Sequence, residues 1–285
     1  MIGRLVASSR PLSWINTAFP FAAAYVLVTG RVDLALVVGT LFFLVPYNLA
    51  MYGINDVFDY PSDLRNPRKG GVEGALLAPE LHRPTLVAST VVCAPFVVAL
   101  VALGSWPSWI VLAVSLAAVV AYSAPPLRTK ERPFLDSMTS STHFVSPAVY
   151  GLVLAGATWT PQLVALLAAF FLWGMASHAF GAVQDVVPDR EGGIASIATV
   201  LGAARTTRLA IGLWIAAGLL MLVTGWPGAL AAALAVPYVI AAWPYRSVSD
   251  ADSGRANGGW RWFLGINYAC GFVVTMLCVL YATIR

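Results

Sequence analysis

The chain runs through one apolar stretch of about twenty residues after another, parted by short polar loops, and that alternation restricts the fold more than any other feature. A span of this length crosses the hydrocarbon core of a bilayer as a helix, whereas a membrane β-strand needs about half as many residues and alternates in polarity. The stretches fall near 12–30, 34–60, 84–104, 107–125, 140–158, 161–185, 207–225, 228–245 and 260–283. Nine spans are therefore expected, in one all-α polytopic domain covering 1–285. Composition agrees, with 59% hydrophobic and 11% charged residues, against about half apolar and a quarter charged in a soluble domain. The polar start of the fifth stretch and Pro147 within it make that span the least regular. Pro237 should kink the eighth or mark its packing against a neighbour. The first stretch is too long to read as a cleaved leader, and it contains Pro11 and Pro20.

Charge orients the spans. With the N-terminus on side one, all of the 17 basic residues except Arg31 and Arg285 lie on that side, as do all of the 13 acidic residues except Asp33. The positive-inside rule makes side one cytoplasmic, which puts the N-terminus inside, the C-terminus outside and the chain in the cell membrane. The net charge of +4 is mostly this bias and calls for no nucleic-acid partner. Cys93, Cys270 and Cys278 lie in apolar spans without metal-ligand spacing and read as small buried hydrophobes.

The cytoplasmic ends of the spans carry the chemistry. After the second span comes Asn55-Asp56-Val57-Phe58-Asp59-Tyr60-Pro61-Ser62-Asp63, preceded by Asn48 and Tyr52. Steps of three and four put Asn48, Tyr52, Asn55, Asp59 and Asp63 on one helix face, with Asp56 at its edge. An Asp near the middle of a membrane helix costs about 2.5–3.5 kcal/mol, so such a group needs a cation or a place at the water boundary. Arg65, Arg68 and Lys69 follow at once. After the sixth span come Asp185 and Asp189, four apart, then Arg190, with His178 seven residues before Asp185. After the fourth span come Tyr122, the helix-stopping Pro125-Pro126, Arg128 and Lys130.

Two carboxylate sets with amide help suit Mg²⁺, which takes one or two carboxylates per ion and completes its octahedron with phosphate oxygens and water. Arg and Lys beside them match the remaining phosphate charge. The combination fits departure of a diphosphate, where negative charge develops on the leaving group. Apolar spans above such a site would keep water from a carbocation and accommodate a lipid-like chain.

Asn-Asp-x-x-Asp-x-x-x-Asp, Tyr-Ser-x-Pro-Pro-x-Arg-x-Lys, and Asp-x-x-x-Asp followed by the Gly193–Gly202 segment resemble, in that order, the UbiA superfamily of intramembrane prenyltransferases. The likeness implies a helical bundle with a central cavity capped on the cytoplasmic side. Carried over by position, Asn55, Asp59, Asp63, Asp185 and Asp189 would hold a diphosphate through Mg²⁺, and Asp56 matches the first acidic position. Arg68, Lys69, Arg128, Lys130 and Arg190 would contact phosphate oxygens. Within the superfamily, the stretches from Tyr52 to Tyr60, Arg65 to Lys69 and Ala179 to Arg190 look like those of lycopene elongases, which make C50 carotenoids. The likeness implies transfer of a dimethylallyl group from dimethylallyl diphosphate to the ends of lycopene, with proton loss or hydration after it. Tyr122, His178 and the departing diphosphate are candidate bases.

Other acceptors stay open: a quinone precursor, chlorophyllide or a glycerol-ether lipid. Few cations lie deep in the spans to hold an acceptor carboxylate, Arg10 and His178 being the exceptions. A secondary transporter would place its charges near the midplane, whereas these carboxylates gather at one interface. A non-catalytic scaffold would not require both acidic motifs.

Overall fold

The computed structural model describes residues 2–64 and 76–284 of the 285, with the side chains of Ile2, Ser62 and Asp63 left aside. Every regular element among the described residues is helical: α1 (Ile2–Ser8), α2 (Ile15–Thr29), α3 (Leu34–Leu44), α4 (Pro46–Asp63), α5 (His82–Leu103), α6 (Trp106–Ser123), α7 (Leu135–Leu154), α8 (Pro161–Val183), α9 (Val186–Glu191), α10 (Ile197–Leu201), α11 (Ala203–Met221), α12 (Ala235–Ala242) and α13 (Asn257–Thr283). Eight helical segments among them are long and apolar enough to cross a membrane. Large apolar side chains such as Val91, Val98, Ile240 and Phe272 stay exposed on them, as side chains facing lipid do. The expected span outside these eight is the fifth, which corresponds to α7; that helix is 20 residues long but begins with the polar run Asp136 to His143, so its mean hydropathy falls short.

The chain forms two compact units. The first comprises Met1–Thr129 and Thr142–Ala157, and the second Lys130–Ser141 and Thr158–Arg285.

In the first unit, α2 to α6 and the later part of α7 enclose Phe21, Phe42, Phe43, Tyr47 and Tyr150. Gly39 lets the Phe21 ring lie against the α3 backbone, since a Cβ there would stand 2.1 Å from Phe21 Cζ. The stretch expected as one span from 34 to 60 is divided at Val45, because Pro46 has no N–H to continue the helix. The carbonyls released at the break are taken by a side chain. Asn48 Nδ2 donates to Phe43 O (2.8 Å), to Leu44 O (3.0 Å) and to Thr17 Oγ1 (2.7 Å). Asn48 thus serves the helix break rather than the polar face expected for it.

In the second unit, α8 lies along α11, and Phe180, Trp214, Tyr238 and Phe263 form the core with Trp173 and Trp260. The helices start where the sequence supplies caps: Thr160 Oγ1 accepts the Leu163 N–H, and Ser196 and Thr199 cap α10 reciprocally. The eighth expected span is a 3₁₀ stretch (Gly228–Leu234) continued by α12. Pro237 lies in the first turn of α12, next to the change from 3₁₀ to α geometry. Cys93 and Cys270 are buried and Cys278 half-buried, as their apolar settings suggested.

Candidate active site

In the first unit the end of α4 separates its three carboxylates. Asp56, 1% exposed, turns toward the N-terminal segment, where Ser8 Oγ donates to Oδ2 at 2.8 Å and Arg10 Nη2 stands 3.1 Å from Oδ1. The Arg10 guanidinium also lies 4.2 Å above the Tyr52 ring centroid, an arrangement favoured by the negative face of the ring. Asp59, three residues further along α4 than Asp56 and 6% exposed, takes a hydrogen bond from Asn55 Nδ2. Arg128 Nη2 approaches Asp59 Oδ1 to 4.0 Å, and Nη1 reaches Phe58 O at 3.5 Å. Asn55, Asp59 and Arg128 therefore come together as an amide, a carboxylate and a guanidinium. Asp63 is the last residue of α4, but its side chain lies outside the described residues, as do Arg68 and Lys69 entirely.

Tyr122, on the last turn of α6, meets a residue that its sequence position did not suggest. Its ring stands edge-on to His143 at 5.2 Å, and His143 is buried on α7. Tyr122 is half-buried.

In the second unit α8 ends at Val183, and Asp185 opens the short α9. The Asp189 N–H donates to Asp185 O at 2.9 Å, so the two half-buried carboxylates stand one turn apart, as their spacing implied. Arg190 is committed to the chain itself. Its Nε and Nη2 donate to Thr199 O at 3.0 and 2.7 Å, and its Nη1 to Asp250 Oδ2 at 2.6 Å. Asp250 Oδ1 accepts the Ala203 N–H at 2.7 Å and so caps α11. That N–H first, and Arg190 second, hold the Asp250 carboxyl below the usual carboxylate range. Arg190 braces the segment carrying Asp185 and Asp189, a role different from the phosphate contact expected of it. Lys130 lies in a 3₁₀ turn (Thr129–Glu131) and is half-buried.

His178, on α8, faces a second residue that sequence reasoning passed over. Its Nε2 stands 3.9 Å from Asp136 Oδ2, on a carboxylate with no solvent exposure. An acid at the head of an otherwise uncharged polar run was the available signal. Among the described residues no group of three or more His, Cys, Asp or Glu side chains gathers to hold a metal. The donors present are carboxylate and amide oxygens, one or two per segment. That set suits a hard cation completed by phosphate and water rather than a metal caged by protein.

Comparison with known proteins identifies the family. Residues 17–268 match the UbiA prenyltransferase family. A C(50) beta-cyclic carotenoids biosynthesis protein of Dietzia sp. (strain CQ4) is 55% identical over 97% of the chain, which spans 64% of that longer protein. The lycopene elongase/hydratase of Corynebacterium glutamicum is 49% identical, with 96% of each chain covered. A UbiA homolog from Archaeoglobus fulgidus, solved with DMAPP and Mg2+, superposes with a TM-score of 0.67 at 19% identity, over 93% of this chain and 98% of that one. An apo UbiA homolog from Aeropyrum pernix K1 gives 0.66 at 20% identity, over 92% and 98%. The chain is a multi-pass membrane prenyltransferase and belongs to the UbiA family.

Proposed function

We propose that the protein transfers a dimethylallyl group from dimethylallyl diphosphate to each end of lycopene, extending C40 to C45 and then C50, with proton loss or water addition completing each step. Both units would serve one domain, 1–285, in the cell membrane, with nine spans, the N-terminus inside and the C-terminus outside. The observation that carries the acceptor is the 49% identity to a lycopene elongase/hydratase along nearly the whole of both chains. The structure adds support, because Arg10, a cation that a carboxylated acceptor would require, is engaged by Asp56 and Tyr52. A hydrocarbon acceptor needs no such cation.

The residues take these parts in the proposal. Asn55, Asp59, Asp63, Asp185 and Asp189 would hold Mg²⁺ and, through it, the diphosphate. When bound, Mg²⁺ supplies positive charge where negative charge develops on the leaving group. Arg128, Lys130, Arg68 and Lys69 would take phosphate oxygens, with Arg128 Nη2 already beside Asp59 at 4.0 Å. Arg190 fixes the second acidic segment, and Asp56 fixes the N-terminal segment beside the first. The apolar interior keeps water from the allylic cation until the terminal double bond of the carotenoid attacks it. Tyr122, His178 and the departing diphosphate are the candidates for proton removal.

Expression of the chain in lycopene-making cells supplied with dimethylallyl diphosphate tests the acceptor. Carotenoids heavier by one and two C5 units are the expected products. An unchanged lycopene pool, with the protein present in the membrane, would exclude lycopene and return the choice to a quinone precursor, chlorophyllide or glycerol-ether lipid.

A further inference from the structure

A carboxylate taken fully out of water must be hydrogen-bonded and must find positive charge. Asp136, the second residue of α7, has no exposed surface. Its Oδ1 accepts the N–H and the hydroxyl of Ser137 at 2.6 and 3.2 Å, and its Oδ2 accepts the Ile197 N–H at 2.7 Å. These three donors are all neutral and bring no positive charge to the carboxyl group. Among the described residues, the basic group within ion-pair reach is His178, with Nε2 3.9 Å from Oδ2. The imidazole is 20% exposed while the carboxylate behind it is sealed.

A cap for α10 does not account for this residue. Ser196 and Thr199 already cap that helix reciprocally, and a neutral amide oxygen would accept the Ile197 N–H equally well. Negative charge behind a partly exposed imidazole has a different effect. It favours a proton on the nitrogen facing it, leaves the lone pair on the opposite nitrogen, and stabilises the ring once it becomes a cation.

We infer that Asp136 is a positioning residue that sets His178 to receive the proton released from the prenylated carotenoid cation. The inference rests on the function proposed above and assigns its final step. The C–O bond of the allylic diphosphate breaks, and its electron pair leaves on oxygen. The π electrons of the acceptor double bond form the new C–C bond, which leaves a tertiary cation on the carotenoid. An adjacent C–H bond then breaks: its electron pair becomes the new double bond, and its proton goes to His178 Nδ1. When water adds instead, its oxygen bonds to the cation and the same nitrogen takes one of its protons. The imidazolium passes the proton on to water or to the departed diphosphate. Throughout, the Asp136 carboxylate faces the ring at Nε2. The same carboxylate grips the first N–H of α10, and thus ties the ring to the segment that follows Asp185 and Asp189.

The test uses the full chain in lycopene-containing vesicles with dimethylallyl diphosphate and Mg²⁺. It reads kcat, KM for the diphosphate, and the ratio of alkene to alcohol products. Asp136→Asn and His178→Gln should each lower kcat by about 10²-fold, leave KM within twofold, and shift the product ratio in the same direction. The double variant should match His178→Gln, and Asp136→Glu should recover part of the loss. Wild-type kcat and product ratio in a folded Asp136→Asn protein, or losses that multiply in the double variant, would overturn the inference and leave the elongase function standing. Absence of heavier carotenoids from the wild type would overturn both. A readout independent of variant folding is ¹⁵N NMR of the three histidines in the wild-type protein, with His178 assigned by loss of its signal in His178→Gln. The Nε2–H tautomer at His178 supports the inference, and a ring deprotonated at Nε2 refutes it.

Discussion

The two acidic segments are built in different ways. Asn55, Asp56 and Asp59 ride on one uninterrupted helix, and each carboxylate there is matched by a neighbour: Asp56 by Ser8 and Arg10, Asp59 by Asn55 and Arg128. Asp185 and Asp189 stand past the end of α8, on a short helix of their own, and are more exposed. That segment is fixed from its side, by Arg190 on Thr199 O and Asp250 and by the Asn257 Nδ2 bond to Gln184 Oε1 at 2.6 Å. The difference teaches that the candidate ligands at α4 also hold the fold, whereas at α9 other residues, Arg190 and Asn257, share that work. A change at the end of α4 removes a group that holds the fold as well as a candidate ligand, whereas a change at Asp185 removes a candidate ligand and leaves the Arg190 and Asn257 bonds in place.

The largest expected effect is on turnover. Asp59→Ala and Asp185→Ala should each reduce kcat by about 10²–10³, the size typical of losing a group that stabilises developing charge. The melting temperature in detergent should fall further for Asp59→Ala than for Asp185→Ala. Equal melting shifts in the two variants would break the comparison.

Stability at Asp56 comes next. Removing one partner of a buried ion pair costs about 3–5 kcal/mol. With Arg10 still partly in contact with water, Asp56→Ala should lie near the lower end, about 3 kcal/mol. Denaturant titration of the folded protein reads it, and a change below half that size would mean that the N-terminal segment is held by other contacts.

A smaller effect is expected behind the second acidic segment. Gly202 has φ +81°, and a Cβ there would stand 2.9 Å from Asp250 Oδ1. Gly202→Ala should cost about 1–3 kcal/mol and loosen the bracing of Arg190, seen as faster hydrogen exchange in α9 and α10. Unchanged exchange would place the support of that segment elsewhere.

The smallest is a pH effect at Asp250. Its carboxyl is held low in the folded state, so the folded form binds fewer protons than the unfolded form around the ordinary carboxylate pKa of about 3.9. The stability it contributes is present above that value and is lost as pH falls through the lower, folded-state pKa. In this partly exposed setting the contribution should stay below about 1 kcal/mol. Asp250→Asn should therefore flatten acid unfolding slightly. An acid limb as steep as wild type would show that other carboxylates carry it.

Periodicity and length made most of the fold legible, because a membrane span must satisfy its own backbone and so announces itself in composition. The divided second span was less legible. Pro46 marked the break, but Thr17, which accepts from Asn48 Nδ2 across 31 positions, could not be paired with it by local pattern. The polar head of α7 was less legible for the complementary reason: Asp136, Ser137, Ser141 and His143 are buried among protein groups and need no apolar run. At the site, the i, i+4 carboxylate spacing was readable, and Asp189 bonding back to Asp185 reflects it. The partners were not. Arg190 read as a phosphate ligand because Asp250, 60 positions away, carries no sequence mark of its relation to it. Asp136 was passed over because burial beside His178 is a property of packing, not of spacing.

The central claim is that both acidic segments act on one Mg²⁺-bound diphosphate. The most direct measurement is the affinity for dimethylallyl diphosphate, with and without Mg²⁺, of the wild type, Asp59→Ala, Asp185→Ala and the double variant in lipid nanodiscs. The account predicts Mg²⁺-dependent binding in the wild type, its loss in either single variant, and no further loss in the double. Full Mg²⁺-dependent affinity in either single variant, or losses that simply add, would contradict it.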